Sequence, residues 1–157
     1  MTRSLLATFL ATFAITLAGG CVGTTGLPNG TDGTIADRIV TLVNNERISR
    51  GIWPLTHNVL LDVAAQIQAD DMAVNAFFDH TGSDGSTVGD RAISAGYSWT
   101  MIGENIGQGD MTPEEMMNQW MSSPGHRANI LNAGFTEIGV AINDTGTTLW
   151  VQVFGTP

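Results

Sequence analysis

The sequence contains no lysine, and six arginines stand against fifteen acidic residues in 157 residues, a formal net charge of -9. Nucleic-acid binding needs clustered positive charge, so we expect no nucleic-acid partner. The acidity also opposes electrostatic attraction to an anionic membrane surface. Charged residues make up only 13% of the chain and hydrophobic residues 43%, a composition that predicts one packed domain rather than disorder.

Cysteine is almost as scarce, because Cys21 is the only one and no internal disulfide can form. It follows Arg3, an apolar run over residues 5–17 and the small residues Ala18-Gly19-Gly20. This order predicts a signal peptide over residues 1–20, with an apolar run shorter than the ~20 residues of a membrane span. Cys21 is then either the lipid-modified first residue of a lipoprotein, which we favour, or an incidental thiol after ordinary cleavage. The protein is expected at the cell envelope through a lipid anchor, or outside the cell.

Residues 21–33 combine this cysteine with glycine, threonine, asparagine and proline, which predicts a flexible tether. The folded domain is expected over residues 34–157. Capping patterns and apolar spacing predict helices from Thr34 to Gly51, from Val59 to Phe77 and from Thr87 to Ala95, with others starting at Thr112 and Ser123. Arg47 and Arg50 suit the C-terminal dipole of the first helix. The second helix is expected to bury Leu60, Val63, Ala64, Ile67, Val74 and Phe77, although Asp70 falls on the same stripe.

Alternating apolar residues predict strands over 138–142 and 149–153, joined by a turn, and a third strand over 99–106. Helices followed by a hairpin indicate an α+β fold in which helices flank a small antiparallel sheet. The four tryptophans at positions 53, 99, 120 and 150 are interpreted as core residues.

Three histidines and one glutamate are the candidates for chemistry. His57 precedes a helix and is assigned a structural role, whereas His80 and His126 lie at the ends of predicted elements, where functional groups concentrate. Glu104 lies between Ile102 and Ile106 in a predicted strand, so it must face water or be buried with a partner. Two histidines and a carboxylate are ligands that zinc accepts, but no local zinc spacing is present.

Several sequence segments, in order, resemble the CAP superfamily (cysteine-rich secretory proteins, antigen 5, pathogenesis-related 1), and more closely its bacterial exported branch. The most specific are Gly103-Glu104-Asn105-Ile106 and the stretch over residues 123–131, SPGHRANIL. Others are Asn44-Asn45-Glu46-Arg47, Phe78-Asp79-His80-Thr81 and the segment over residues 150–154, WVQVF.

The resemblance implies a three-layer α-β-α sandwich with an open cleft, in which His80 and His126 face each other beside Glu104. Family members can hold a divalent metal, often zinc, between the two histidines. The family cleft usually carries a second glutamate near the position of Ser123, and this sequence has none there; we place Asn105 and Ser123 in the ligand cleft.

Three functions follow from these residues. The favoured one is a binding module in which the cleft holds a divalent cation or a polar small-molecule, peptide or cell-wall ligand. A metal-dependent hydrolase is the second, with Glu104, His80 and His126 as catalytic residues and Glu104 as general base. Lipid or sterol binding in a groove lined by the methionines at 101, 111, 116, 117 and 121 is the third. A monomer is expected.

Overall fold

The computed structural model describes residues 34–157. The predicted signal peptide, Cys21 and the tether lie outside the described residues. The elements, in chain order, are α1 (Ile35–Ile48), β1 (Thr56–His57), α2 (Val59–Asn75), α3 (Val88–Ser94), β2 (Met101–Gln108), α4 (Pro113–Ser122), α5 (Pro124–Ile130), β3 (Glu137–Asn143) and β4 (Leu149–Thr156). No helix within this part of the chain is both long and apolar enough to cross a membrane.

Three helices begin with the same reciprocal cap. Thr34, Thr87 and Thr112 each accept from the backbone N–H three residues later, and the acidic side chain at that position accepts from the threonine N–H. The exchange satisfies backbone donors that a helix N-terminus leaves free. The sequence-based prediction of these starts is confirmed.

The four strands form one sheet in the order β1-β3-β4-β2. β4 pairs antiparallel with both β2 and β3, while the two residues of β1 pair parallel with β3. β2 is therefore an edge strand, and it begins at Met101 rather than at Trp99. The carbonyls of Glu104 and Ile106 on β2 accept from the Asn129 amide and the Trp120 indole, at 3.0 Å each.

The sheet separates two cores. Alternate residues of β4 face opposite sides, so Val151 and Val153 pack with α2 and α3, while Trp150 and Phe154 pack with α1, α4 and α5. This is the predicted α+β sandwich with helices on both faces of a mainly antiparallel sheet. Met116 and Met117 lie in the second of these cores, so two of the five methionines proposed for a lipid groove pack internally.

The buried face of α2 differs from the predicted one. It consists of Leu61, Ala64, Ala65, Gln68, Ala69 and Met72. Of the predicted stripe, Ala64 is buried and Phe77 half-buried, whereas Leu60, Val63, Ile67 and Val74 face solvent, with Val63 47% and Val74 81% exposed. Small alanines let the helix lie close to the sheet, and this packing outweighs the larger apolar residues opposite. Asp70 is thereby explained, because on the exposed face it accepts from Asn143 at 2.7 Å and from Gln66 at 2.6 Å.

Gly139 on β3 permits that close approach. A Cβ atom at this position would overlap the backbone of Leu61 and Asp62 at the start of α2. The Asp62 carboxylate accepts from the neighbouring Val140 N–H at 2.8 Å and also contacts His57, 2.7 Å from the ring Nε2. His57 thus has the structural place expected of it.

Two tryptophans were placed wrongly from sequence. Trp53 is 87% exposed and Trp99 39% exposed, so neither is a core residue. Trp120 and Trp150 are fully buried, and their ring N–H groups donate to the carbonyls of Ile106 and Gly109. A backbone partner for the indole is what makes complete burial of these large rings possible.

Arg47 also has a place that the helix-dipole interpretation did not predict. Its side chain is 1% exposed and donates four hydrogen bonds of 2.8–3.1 Å, to the carbonyls of Trp53, Ile130, Asn132 and Phe135. These carbonyls belong to the loop after α1 and to the end of α5 with the segment that follows it. Arg47 therefore joins two regions that are distant in sequence through one planar guanidinium group.

Candidate functional site

Glu104 is the buried centre of the candidate site. It lies on the edge strand β2, on the face covered by α2 and α3, and its side chain is only 3% exposed. One carboxylate oxygen, Oε1, lies 2.8 Å from Nδ1 of His80. The other, Oε2, accepts from Nη2 of Arg91, also at 2.8 Å. A buried carboxylate needs a partner, and Glu104 has two, one histidine and one arginine.

His80 lies in the loop between α2 and α3, with 56% of its side chain exposed. The hydrogen bond to Glu104 raises the pKa of His80, and burial opposes that rise. With Nδ1 turned to the carboxylate, the other ring nitrogen, Nε2, is the one left for a ligand. A neighbouring pocket of about 310 Å³ is lined by His80, Thr81, Thr87, Val88 and Glu104.

Arg91 on α3 was missed by the sequence analysis. It is 2% exposed and donates to the carbonyls of Ser86 (2.9 Å) and His80 (3.1 Å) as well as to Glu104. A signal for it existed, because Val88, Arg91, Ala92 and Ala95 share one face of a short helix at i, i+3, i+4 and i+7. An arginine on an otherwise apolar face predicts a buried acidic or carbonyl partner.

His126 lies in α5, on the other side of the edge strand. Burial lowers its pKa, and the positive charge of His80 lowers it further. Nδ1 of His126 is buried and has no hydrogen-bond partner within the described chain.

Asn105 connects His126 to β2 from inside. It is fully buried, and its amide donates to the His126 carbonyl at 3.1 Å and to Gln152 at 3.2 Å. Its oxygen accepts from Asn129 of α5 at 2.9 Å. All these groups are used within the protein, so Asn105 holds the histidine helix rather than lining the cleft as predicted.

Ser123 is half-buried at the junction of α4 and α5 and makes no capping hydrogen bond through its side chain. The neighbouring Ser122 hydroxyl donates to the Asn118 carbonyl at 2.7 Å, one turn earlier in α4. No serine–histidine hydrogen bond occurs within residues 34–157, so no activated serine is seen beside His126.

The environments of the two histidines shift their pKa values in opposite directions. The carboxylate beside His80 makes protonation of that ring more favourable, whereas burial makes protonation of His126 less favourable. Such a pair can donate a proton at one position and accept one at the other. It also fits a cation, because His126 is neutral and a carboxylate orients His80 as it does many metal-binding histidines. Glu104 itself has both oxygens occupied. Within the described residues, no three histidine, cysteine or carboxylate side chains are arranged to hold a metal ion.

Comparison with known proteins assigns this architecture to a family. The model of the CAP family, described as the cysteine-rich secretory protein family, matches residues 40–154. The chain belongs to the CAP family. The resemblance seen in the sequence segments is thereby confirmed.

Two relatives of this CAP domain are proteins of Bacillus subtilis. The uncharacterized protein YkwD of Bacillus subtilis is 40% identical over 117 residues, which are 74% of this chain and 45% of YkwD. The uncharacterized membrane protein YlbC of the same organism is 26% identical over 70% of this chain and 32% of YlbC. This chain therefore spans less than half the length of the curated relatives it matches.

Solved structures give the same fold. An extracellular SCP-domain protein of Bacillus anthracis has a TM-score of 0.73 at 29% identity, over 78% of this chain and 40% of its own. An outer surface protein of Borrelia burgdorferi has a TM-score of 0.71 at 20% identity, over 76% of this chain and 90% of its own. The second likeness concerns the fold alone.

Proposed function

We propose that this CAP domain binds a divalent cation, zinc in the first place, through the imidazoles of His80 and His126. The observation that supports it is the 2.8 Å contact between Nδ1 of His80 and the buried Glu104 carboxylate. A carboxylate on one ring nitrogen fixes the proton there and leaves the other nitrogen as a lone-pair donor. Zinc accepts neutral imidazole nitrogens, and with two protein ligands its remaining positions stay open to water or to a ligand group.

In this proposal Glu104 acts through His80. Its two oxygens are already paired with His80 and Arg91, so it orients and polarises the histidine rather than ligating the cation. The second cleft glutamate that the family resemblance leads one to expect near Ser123 is absent from residues 120–123, WMSS. We therefore expect weaker cation binding than a complete four-residue site would give.

The site is expected to operate outside the cytoplasm. The related B. anthracis protein is extracellular. The signal-peptide pattern over residues 1–20 predicts the same for this chain. A polar small molecule, a peptide or cell-wall material would then complete the coordination of the cation.

Calorimetric titration of the purified protein with zinc tests the proposal. We expect about one equivalent bound by the wild type and a large loss of affinity in both His80→Ala and His126→Ala. His57→Ala is the matched control, because this third histidine contacts Asp62 away from the cleft. Equal zinc binding by the wild type and the three variants, or no zinc binding by the wild type, would refute cation binding at this site.

A hydrolase is the second candidate, favoured by the opposite pKa shifts of the two histidines. Neutral His126 would act as general base and His80 as general acid, while Glu104 would orient His80 instead of serving as the base. Peptides and cell-wall fragments are the substrates to screen. Turnover that is unchanged in His126→Ala would end this alternative.

A further inference from the structure

Arg91 contacts His80 by two routes at once. Its Nη2 atom donates to the backbone carbonyl of His80 at 3.1 Å and to Oε2 of Glu104 at 2.8 Å. Oε1 of the same carboxylate lies 2.8 Å from Nδ1 of the His80 ring. These contacts form a closed ring of hydrogen bonds, here called the carboxylate circuit. It runs from the His80 backbone through the Arg91 guanidinium and the Glu104 carboxylate back to the His80 imidazole. A circuit of this kind fixes both the position of the loop and the rotation of the imidazole.

Burial makes the circuit rigid. The side chains of Arg91 and Glu104 are 2% and 3% exposed, so water does not compete for their hydrogen bond. Nη1 of Arg91 donates to Ser86 at the far end of the same loop. The planar guanidinium serves all three acceptors from one orientation, which the single ammonium of a lysine cannot do.

The geometry assigns Arg91 the role of a positioning residue that selects the tautomer of His80, with the proton on Nδ1 and the lone pair on Nε2. This inference deepens the proposed function, on which its consequence for ligand binding rests. The tautomer itself is a property of the metal-free protein. Without Arg91 the Glu104 carboxylate can rotate away from His80, and the ring loses the reason to keep its proton on Nδ1.

Gln68 provides a matched control. It is fully buried on α2, and its amide donates to the Asp79 carbonyl at 2.6 Å, one residue before His80. It holds the same loop as Arg91 but makes no hydrogen bond to Glu104 within the described chain. Gln68→Met therefore loosens the loop and leaves the carboxylate circuit intact, whereas Arg91→Met breaks the circuit.

The experiment is long-range proton–nitrogen NMR of the histidine rings in the metal-free full chain, at a pH where His80 is neutral. We expect the Nδ1–H form to dominate in the wild type and in Gln68→Met. In Arg91→Met the ratio of Nδ1–H to Nε2–H should fall about ten-fold, as expected for the loss of a charge-assisted hydrogen bond. An unchanged ratio in Arg91→Met, or an equal fall in Gln68→Met, would overturn the assignment.

If Arg91→Met does not fold, Arg91→Lys decides the question, because it keeps the positive charge without the planar fork. Its ratio must fall further than that of Gln68→Met, and an equal ratio in the two variants would overturn the assignment. Addition of zinc to the same samples separates the two proposals. A wild type with the Nδ1–H tautomer but no zinc-dependent change at His80 would refute cation binding and leave the role of Arg91 standing.

Discussion

Arg47 and Arg91 are both buried, yet their surroundings differ in kind. Arg47 donates only to neutral carbonyls, those of two regions that it joins. Arg91 donates to a carboxylate that in turn contacts an exposed histidine. A guanidinium bonded only to backbone has a structural role, whereas one that shares a carboxylate with a titratable ring is placed to influence the protonation of that ring. The partner, rather than burial, distinguishes the two roles.

The largest effect should come from Arg47→Met. The substitution leaves four carbonyls without their donor, and each buried acceptor left unpaired costs about 1–3 kcal/mol, although the costs do not add fully. We expect the free energy of unfolding to fall by about 4 kcal/mol or more in denaturant titration. Arg50→Met, which removes an exposed pair with Glu46, should change it by less than about 1 kcal/mol. Similar losses in both variants would contradict the structural role of Arg47.

Arg91→Met should lower the free energy of unfolding by less than Arg47→Met does, and its effect should depend on whether Glu104 is present. Arg91→Met removes one partner of a buried ion pair, which costs about 3 kcal/mol. In a double-mutant cycle with Glu104→Gln, we expect a coupling free energy of about 1–3 kcal/mol, because the two side chains are in direct contact. A cycle of Arg47→Met with Glu104→Gln should be additive. If Arg47 were coupled to Glu104 and Arg91 were not, the distinction between the two arginines would be wrong.

Glu104→Gln should lower the free energy of unfolding more at acidic pH than at alkaline pH. The raised pKa of His80 means that its interaction with Glu104 stabilises the protein fully below the unfolded value of about 6.5 and is lost as pH rises through the folded value. The wild type should therefore exceed the variant in unfolding free energy by more at about pH 5.5 than at about pH 8.5. Denaturant titration at the two pH values measures this, and a difference that grows with pH would contradict it.

The smallest effect should be electrostatic. His80→Ala removes the charge that lowers the pKa of His126, so that pKa should rise toward its ordinary value, while burial keeps it below. NMR titration of the His126 ring in both proteins measures the shift. His57→Ala serves as the control and should leave the His126 titration unchanged.

The sequence was most informative where the signal is local. Capping boxes at Thr34, Thr87 and Thr112 fix helix starts through bonds within four residues, so they are readable before folding. Which face of α2 is buried depends on how closely the sheet approaches, and Gly139, far along the chain, decides that. The large residues Val63 and Val74 therefore misled the prediction.

The candidate site was predictable in part for the same reason. His80, Glu104 and His126 were identified from their segments, and in the structure Glu104 contacts His80. Gln68 contacts a loop whose path only the folded chain defines, whereas Arg91 was missed although its place on an apolar helix face gave a signal. Asn105 was assigned to the cleft, but it is next to Glu104 in β2, and adjacent residues of a strand point to opposite faces.

The hydrogen bonds of Arg47 bear on whether folding depends on redox conditions. It joins α1 to segments 83–88 residues away in sequence, a loop closure of the length that a disulfide stabilises well. The cross-link forms from a side chain and carbonyls alone, and the only cysteine of the chain, Cys21, precedes the domain. Folding of residues 34–157 therefore needs neither an oxidant nor a disulfide isomerase. The domain should refold equally well in reducing and in oxidising buffer, although the family takes its name from cysteine.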